Sequence, residues 1–173
     1  GRFELAAQPI RALRPGLEEH FFELMIRMRD ESGRLVMPGE FIPAAERYNV
    51  MPTIDFWVIE EAVRVLRALP DGVPRPLLAV NVSGTSLSDQ VYLERVLALL
   101  RDPGLARSVC FEVTETAAVT SLDGAVDFMR ELKGRGCRFS LDDFGSGLSS
   151  FRYLRNLPVD FLKIDGEFIG NVA

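Results

Sequence analysis

The chain has 173 residues, 47% of them apolar and 26% charged, a globular balance that excludes a disordered or fibrous chain. No run approaches the ~18 consecutive apolar residues of a membrane span, and no basic segment followed by an apolar stretch opens the chain as a secretory signal would, so the sequence reads as one soluble domain. With 20 Lys and Arg against 25 Asp and Glu the formal charge is −5, without basic blocks, which disfavours long nucleic acid but leaves open a small phosphate ligand held through metal ions.

In chain order, Phe3 to Ile10 and Phe21 to Met28 are extended runs around the turn-like Arg14-Pro15-Gly16, which predicts a hairpin. Pro38-Gly39-Glu40-Phe41-Ile42-Pro43 reads as a bend entering a short helical stretch, Ala44 to Tyr48. From Pro52, Ile54, Val58, Ala62, Val65, Leu66 and Leu69 recur at helical spacing until Pro70-Asp71-Gly72 ends them. Strand and helix then alternate. Leu77 to Val82 is a strand, Leu87 to Leu100 a helix with Ser86 as its cap, Val109 to Val113 a strand, and Leu122 to Lys133 a helix closed by Gly134-Arg135-Gly136. Arg138 to Leu141 and Phe161 to Ile164 are further strands, with a loop and short helix between them. This alternation predicts an α/β domain with a parallel sheet and right-handed crossovers. Six strands fall short of the eight of a closed barrel, which takes about 250 residues; without a Gly-rich phosphate loop, a barrel lacking its final quarter is favoured over an open nucleotide-binding sheet.

Polar residues punctuate the apolar strands. Gln8 follows Ala6-Ala7, and Glu23 and Arg27 lie in the second run. Asn81 closes the third, Glu112 interrupts the fourth, Asp142-Asp143 ends the fifth and Lys163 interrupts the sixth. Each strand thus offers a polar group near its C-terminal end, the face that carries barrel active sites. Two carboxylates 4 Å apart repel by about 4 kcal/mol at an effective dielectric of 20, so a cluster of Glu23, Glu112, Asp142 and Asp143 beside the Asn81 carbonyl calls for divalent cations. All-oxygen ligation selects Mg²⁺ or Mn²⁺, and adjacent Asp142 and Asp143 suit a two-ion phosphoesterase, with Lys163 beside an equatorial oxygen or the attacking water and Arg27 clamping a phosphate. The single histidine, His20, excludes a multi-histidine metal site. Plainer roles stay open: a surface Glu23–Arg27 salt bridge, an Asn81 turn cap, and a simple turn at Asp142 to Gly145. Asp143-Phe144-Gly145 lacks the companions of the kinase metal motif, and Gly145-Ser146-Gly147 lacks the frame and base of a nucleophile elbow. Cys110 and Cys137 read as small core residues in a reducing compartment, and Phe56 and Trp57 as core or dimer contacts.

These stretches resemble the EAL domains, which hydrolyse the bacterial second messenger cyclic di-GMP. The resemblance is carried in order by Gln8-Pro9-Ile10, Glu23-Leu24-Met25-Ile26-Arg27, Pro38 to Glu46, Ala79 to Ser83, Phe111 to Thr116, Asp142 to Gly147, and Leu157 to Asp160 with Leu162 to Asp165. It implies a TIM-type barrel with one antiparallel early strand. Its metal ligands would be Glu23, Asn81, Glu112, Asp142 and Asp143, holding two Mg²⁺ or Mn²⁺ ions. Lys163 would lie beside the attacking water, Gln8 and Arg27 against the dinucleotide, and in-line attack by a metal-activated water would give linear pGpG. Glu115 would anchor the loop from Phe144 to Ser150, which in the family links the metal site to a dimer interface. A homodimer, sensory or diguanylate cyclase domains as neighbours, and a cytoplasmic location, with a parent protein that can be membrane-anchored, follow from the same resemblance. The alternative is a non-catalytic cyclic di-GMP receptor.

Two departures stand out. Met25 replaces the family's leucine in the signature triplet, a swap that nearly conserves volume and costs below ~1.5 kcal/mol. The chain is also expected to be a C-terminally incomplete single EAL domain, without the last two strand-helix units, another metal-binding glutamate and a ligand-binding glutamine. Weak or absent activity of this chain and an open edge at Phe161 to Ile164 follow.

Overall fold

Alternating side chains in the first two extended runs pair them antiparallel. The computed structural model describes residues 1–14, 20–70, 72–145 and 153–168. In it β1 (Phe3–Ile10) and β2 (Phe21–Arg29) are in register from Phe3 opposite Met28 to Ile10 opposite Phe21. Of the expected turn, Pro15 and Gly16 lie outside the described residues. The far end of β2 also pairs antiparallel with β3 (Leu35–Val36), a strand too short to leave a period in the sequence.

The expected bend at Pro38 is instead the first turn of helix α1 (Pro38–Arg47). Pro38 opens the helix, where its missing N–H is not needed, and the Glu40 carboxylate accepts from the Met37 backbone N–H at 3.0 Å. Pro43 lies inside the helix and forgoes one bond. Helix α2 (Met51–Arg67) follows and buries Ile54, Val58, Ile59, Ala62, Val63 and Leu66 against the sheet.

The later strands are β4 (Leu77–Asn81), β5 (Val109–Thr114), β6 (Arg138–Phe144) and β7 (Phe161–Ile164). Between them run α3 (Gly84–Leu87), α4 (Gln90–Leu99), α5 (Pro103–Ala106), α6 (Glu115–Thr120) and α7 (Leu122–Lys133). The single helix expected from Leu87 with a Ser86 cap is thus two. Ser83 caps α3, and Asp89 caps α4 by accepting from the Tyr92 N–H at 3.0 Å. Ser86 does not cap because its hydroxyl is spent on Asp55, 2.6 Å away. Asp89→Ala is expected to lower stability by about 1 kcal/mol, with Ser88→Ala much milder, in denaturant titrations of the two variants.

The sheet order is β1-β2-β4-β5-β6-β7, with β3 beside β2. From β2 to β7 all pairings are parallel. Four strand spacings of about 4.8 Å would separate β2 from β7 by roughly 19 Å in a flat sheet, yet the rings of Phe21 on β2 and Phe161 on β7 lie 5.4 Å apart. The sheet is therefore strongly curled. Its convex face packs on the helices through Phe111, Phe139 and Phe128, whose centroids are 5.4 to 6.1 Å apart, with Tyr92 stacked on Phe128. Its concave face carries a small apolar floor of Phe21, Leu77, Ala79, Cys110 and Phe161. β7 ends the strand path, and its outward Leu162 and Ile164 are exposed.

Candidate functional site

Side chains two residues further along each inner strand rise above that floor. Glu23 follows Phe21, Asn81 follows Ala79, Glu112 follows Cys110 and Lys163 follows Phe161, because period-two alternation keeps i and i+2 on one face. Asp142 joins them from β6. The site is thus built by five strands: β2, β4, β5, β6 and β7.

Lys163 is its centre. Its Nζ donates to Glu23 Oε2 at 3.1 Å, Glu112 Oε2 at 3.1 Å and Asp142 Oδ2 at 3.0 Å. Asn81 Nδ2 lies 3.5 Å from Glu23 Oε1. Four of the five predicted metal residues and the predicted lysine are therefore brought together. Asp143, the fifth, follows at a left-handed backbone position with φ 54° and donates its N–H to Asp142 Oδ1 at 3.0 Å. Asp142 and Asp143 lie within β6, not in a turn beyond it, where the β6–β7 register shifts between Leu141 and Phe144. Glu23 also departs from expectation: it stands third in a nine-residue strand, since β2 runs on past the rim to pair with β3.

Gln8 is exposed and lies opposite Glu23 in the β1–β2 register. Arg27 is on the same face of β2 as Glu23 and pairs with no carboxylate among the described residues. Its guanidinium donates to the Ile26 carbonyl at 2.9 Å and approaches Met25 Sδ at 3.8 Å. Met25 and Arg27 line a cavity of about 340 Å³ with Pro38, Ile42, Asp55 and Asn81.

Burial drives Glu112 up to about 7 against the pull of Lys163, with Glu23 and Asp142 pushing the same way as burial. Burial also opposes the charge on Lys163, but Glu112 and the bonds to Asp142, Glu112 and Glu23 outweigh it and hold the ammonium above its ordinary value. Asp143 is raised by burial first, then by repulsion from Asp142 and Asp165.

Among the described residues no three His, Cys, Asp or Glu side chains form a ready-made metal site, because these carboxylates close on an ammonium. The donors nevertheless fit hard divalent cations. All are oxygens, they already surround a positive charge, and the fully buried Glu112 Oε1 has no hydrogen-bond partner. Ser140, opposite Glu112 in the β5–β6 register, likewise keeps an unpartnered buried hydroxyl.

Glu115 begins α6 and is buried. One oxygen accepts from the Gly145 N–H at 2.8 Å and the other from the Tyr153 hydroxyl, so it grips the chain on both sides of residues 146–152, which lie outside the described residues; of the expected loop from Phe144 to Ser150, Phe144 and Gly145 are described. Sequence reading missed Tyr153, Ser140 and Asp55. Asp55 left a readable signal, a carboxylate on the apolar stripe of α2 between Ile54 and Val58. Cys110 and Cys137 are buried and free, as core residues would be, and Phe56 and Trp57 also pack into the structure, Phe56 under Arg95 and Trp57 against Phe3. No described helix is long and apolar enough to cross a membrane.

A curled, mostly parallel sheet with an acidic, lysine-centred rim defines the class: an α/β domain with carboxylate, amide and lysine side chains from five strands gathered at one rim. The family model of the EAL domain matches residues 1–173, and the chain belongs to that family. It is 38% identical over 169 residues to cyclic di-GMP phosphodiesterase PdeB of Shewanella oneidensis, covering 96% of this chain and 20% of that protein. It is 35% identical over 172 residues to cyclic di-GMP phosphodiesterase PdeF of Escherichia coli, covering 99% and 23%. The chain therefore spans about a fifth of these relatives. Among solved structures, it is similar to the FimX EAL domain of Pseudomonas aeruginosa bound to c-di-GMP, with a TM-score of 0.89 at 29% identity, covering 99% of this chain and 69% of that one. The PaMucR phosphodiesterase in complex with c-di-GMP gives 0.85 at 30%, covering 100% and 73%.

Proposed function

We propose that this chain carries most of the catalytic site of a cyclic di-GMP phosphodiesterase. The carrying observation is the convergence of Glu23, Asn81, Glu112, Asp142 and Lys163 from five strands on one rim. The names of the relatives support the substrate, and the curl of the sheet supports closure into a full (β/α) barrel in the complete domain. Glu23, Asn81, Glu112, Asp142 and Asp143 would hold Mg²⁺ or Mn²⁺, two ions in the complete domain. When bound, such ions polarise a phosphodiester and make a nearby water more acidic.

The residues' own parts follow from their places. Arg27 and Gln8, on β2 and β1, bind and orient the dinucleotide. Lys163 draws the three carboxylates together on its ammonium and, with cations and ligand in place, orients the attacking water. Glu112, buried, keeps water from solvating the far side of the cluster. The product is linear pGpG, and Glu115 couples the rim to residues 146–152, the route for control by a second copy or by an attached sensory or cyclase domain.

The test is incubation of cyclic di-GMP with the full-length protein in Mg²⁺ or Mn²⁺ and chromatography for pGpG. Turnover that chelation abolishes, and that Glu23→Ala and Asp143→Asn remove, is the expected result. Tight binding without any turnover would replace this reading with that of a receptor.

A further inference from the structure

Asp55 is buried in α2 at 6% exposure, and among the described residues no Lys or Arg pairs with it. A carboxyl is buried at tolerable cost only if hydrogen-bond donors replace water. All the donors come from one turn. Asp55 Oδ2 accepts from the Ser83 N–H at 2.9 Å, the Ser83 hydroxyl at 2.6 Å and the Ser86 hydroxyl at 2.6 Å.

That turn leaves β4 directly after Asn81. The intervening Val82 N–H is tied to the Glu112 carbonyl at 2.9 Å. The main chain beyond Asn81 is thus held at two successive points, by β5 through Val82 and by α2 through Ser83. The Asn81 side chain just before these holds reaches Glu23 at 3.5 Å. Asp55, Ser83, Asn81 and Arg27 also line one cavity, so α2 meets the site beside β2 and β4.

We propose that Asp55 is a positioning residue for Asn81: by gripping Ser83 it fixes the turn that aims the Asn81 amide at the rim. Only the kinetic consequence rests on the phosphodiesterase reading. An amide held 3.5 Å from Glu23 by a three-bond clamp on the adjoining turn keeps its geometry when ligand and cations arrive; released, it samples other rotamers and loses its place in the site.

The test compares Asp55→Ala, Ser83→Ala and Ser86→Ala in ¹⁵N-labelled protein, following the side-chain amide signals of Asn81, assigned by their loss in Asn81→Asp. Ser86→Ala removes one bond to Asp55 and the 3.0 Å hydroxyl contact with Ser83, but leaves both bonds from Ser83 to Asp55 in place. The Asn81 signals are expected to shift and broaden in Asp55→Ala and Ser83→Ala and to stay in place in Ser86→Ala, with those of Asn49 constant throughout. In turnover of cyclic di-GMP, kcat falls roughly 10-fold or more in the first two variants with KM changed less, as for other residues that orient a ligating side chain, and Asp55→Asn restores part of it. Unmoved Asn81 signals in a folded Ser83→Ala protein would overturn the proposal, as would equal perturbation by Ser86→Ala. Should Asp55→Ala fail to fold, Ser83→Ala decides. A wild-type protein without turnover would sink the phosphodiesterase reading alone, and the Asn81 spectra would still decide this one.

Discussion

Lys163→Met is expected to destabilise the protein by about 3 to 5 kcal/mol near neutral pH, the cost of leaving a buried ion cluster without one partner. Lys163 is the charge on which Glu23, Glu112 and Asp142 close, and the Glu112 side chain is wholly shielded from solvent. Methionine keeps the length and the apolar stem, so packing over Phe161 changes little and the loss reports the charge. Millimolar Mg²⁺ or Mn²⁺ is expected to return part of the lost stability to the variant and much less to the wild type, because a divalent ion replaces the missing positive charge. Denaturant unfolding of both proteins with and without the ions measures this. A variant within about 1 kcal/mol of wild type, the range of an exposed ion pair, would show that the three carboxylates are solvated and the centre is not one electrostatic unit.

Glu115→Ala is expected to cost about 3 to 6 kcal/mol, since two hydrogen bonds to a buried carboxylate, each worth roughly 1.5 to 3, are lost together. Its partners, Gly145 N–H and the Tyr153 hydroxyl, lie on either side of residues 146–152. The amide of Gly145 is expected to exchange with solvent faster in the variant than that of Phe111 in the β5 core. Tyr153→Phe removes one of the two bonds, and the pair should couple non-additively in a double-mutant cycle. The pH dependence has a definite sign. Burial first, and Glu115 as acceptor second, push the Tyr153 phenol up to about 12. A folded-state value above the ordinary 10.0 means that this contribution is complete below about pH 10 and is lost as pH rises through 12. Spectroscopic titration should show a late phenolate in wild type, beside that of the buried Tyr92, that is absent in Tyr153→Phe and shifted toward the ordinary value in Glu115→Ala. A Tyr153 that ionises near the ordinary 10.0 would contradict the buried Glu115 contact.

Much of the site was legible because each strand is short and apolar, so a carboxylate, amide or lysine inside it is conspicuous, and period-two alternation fixes which face it takes. Glu112 between Phe111 and Val113, and Lys163 between Leu162 and Ile164, are such cases. Helix ends were less legible. Ser86 and Asp89 are equally good caps by residue type, and the choice between them was made by Asp55, 31 residues before Ser86 in the chain. The bend expected at Pro38 became a helix because a proline in the first turn costs no bond and Glu40 satisfies Met37.

The sequence by itself determined the α/β alternation, the family, and the residues that carry charge on the inner strands, because these depend on local period and residue type. Only the tertiary structure decided that Lys163 lies at the centre of three carboxylates, that Glu23 stands near the start of its strand, and that Glu115 and Asp55 each grip a distant loop. Those contacts join residues 21 to 140 positions apart. Their geometry is set by the curl and register of the sheet, which no single segment of chain encodes.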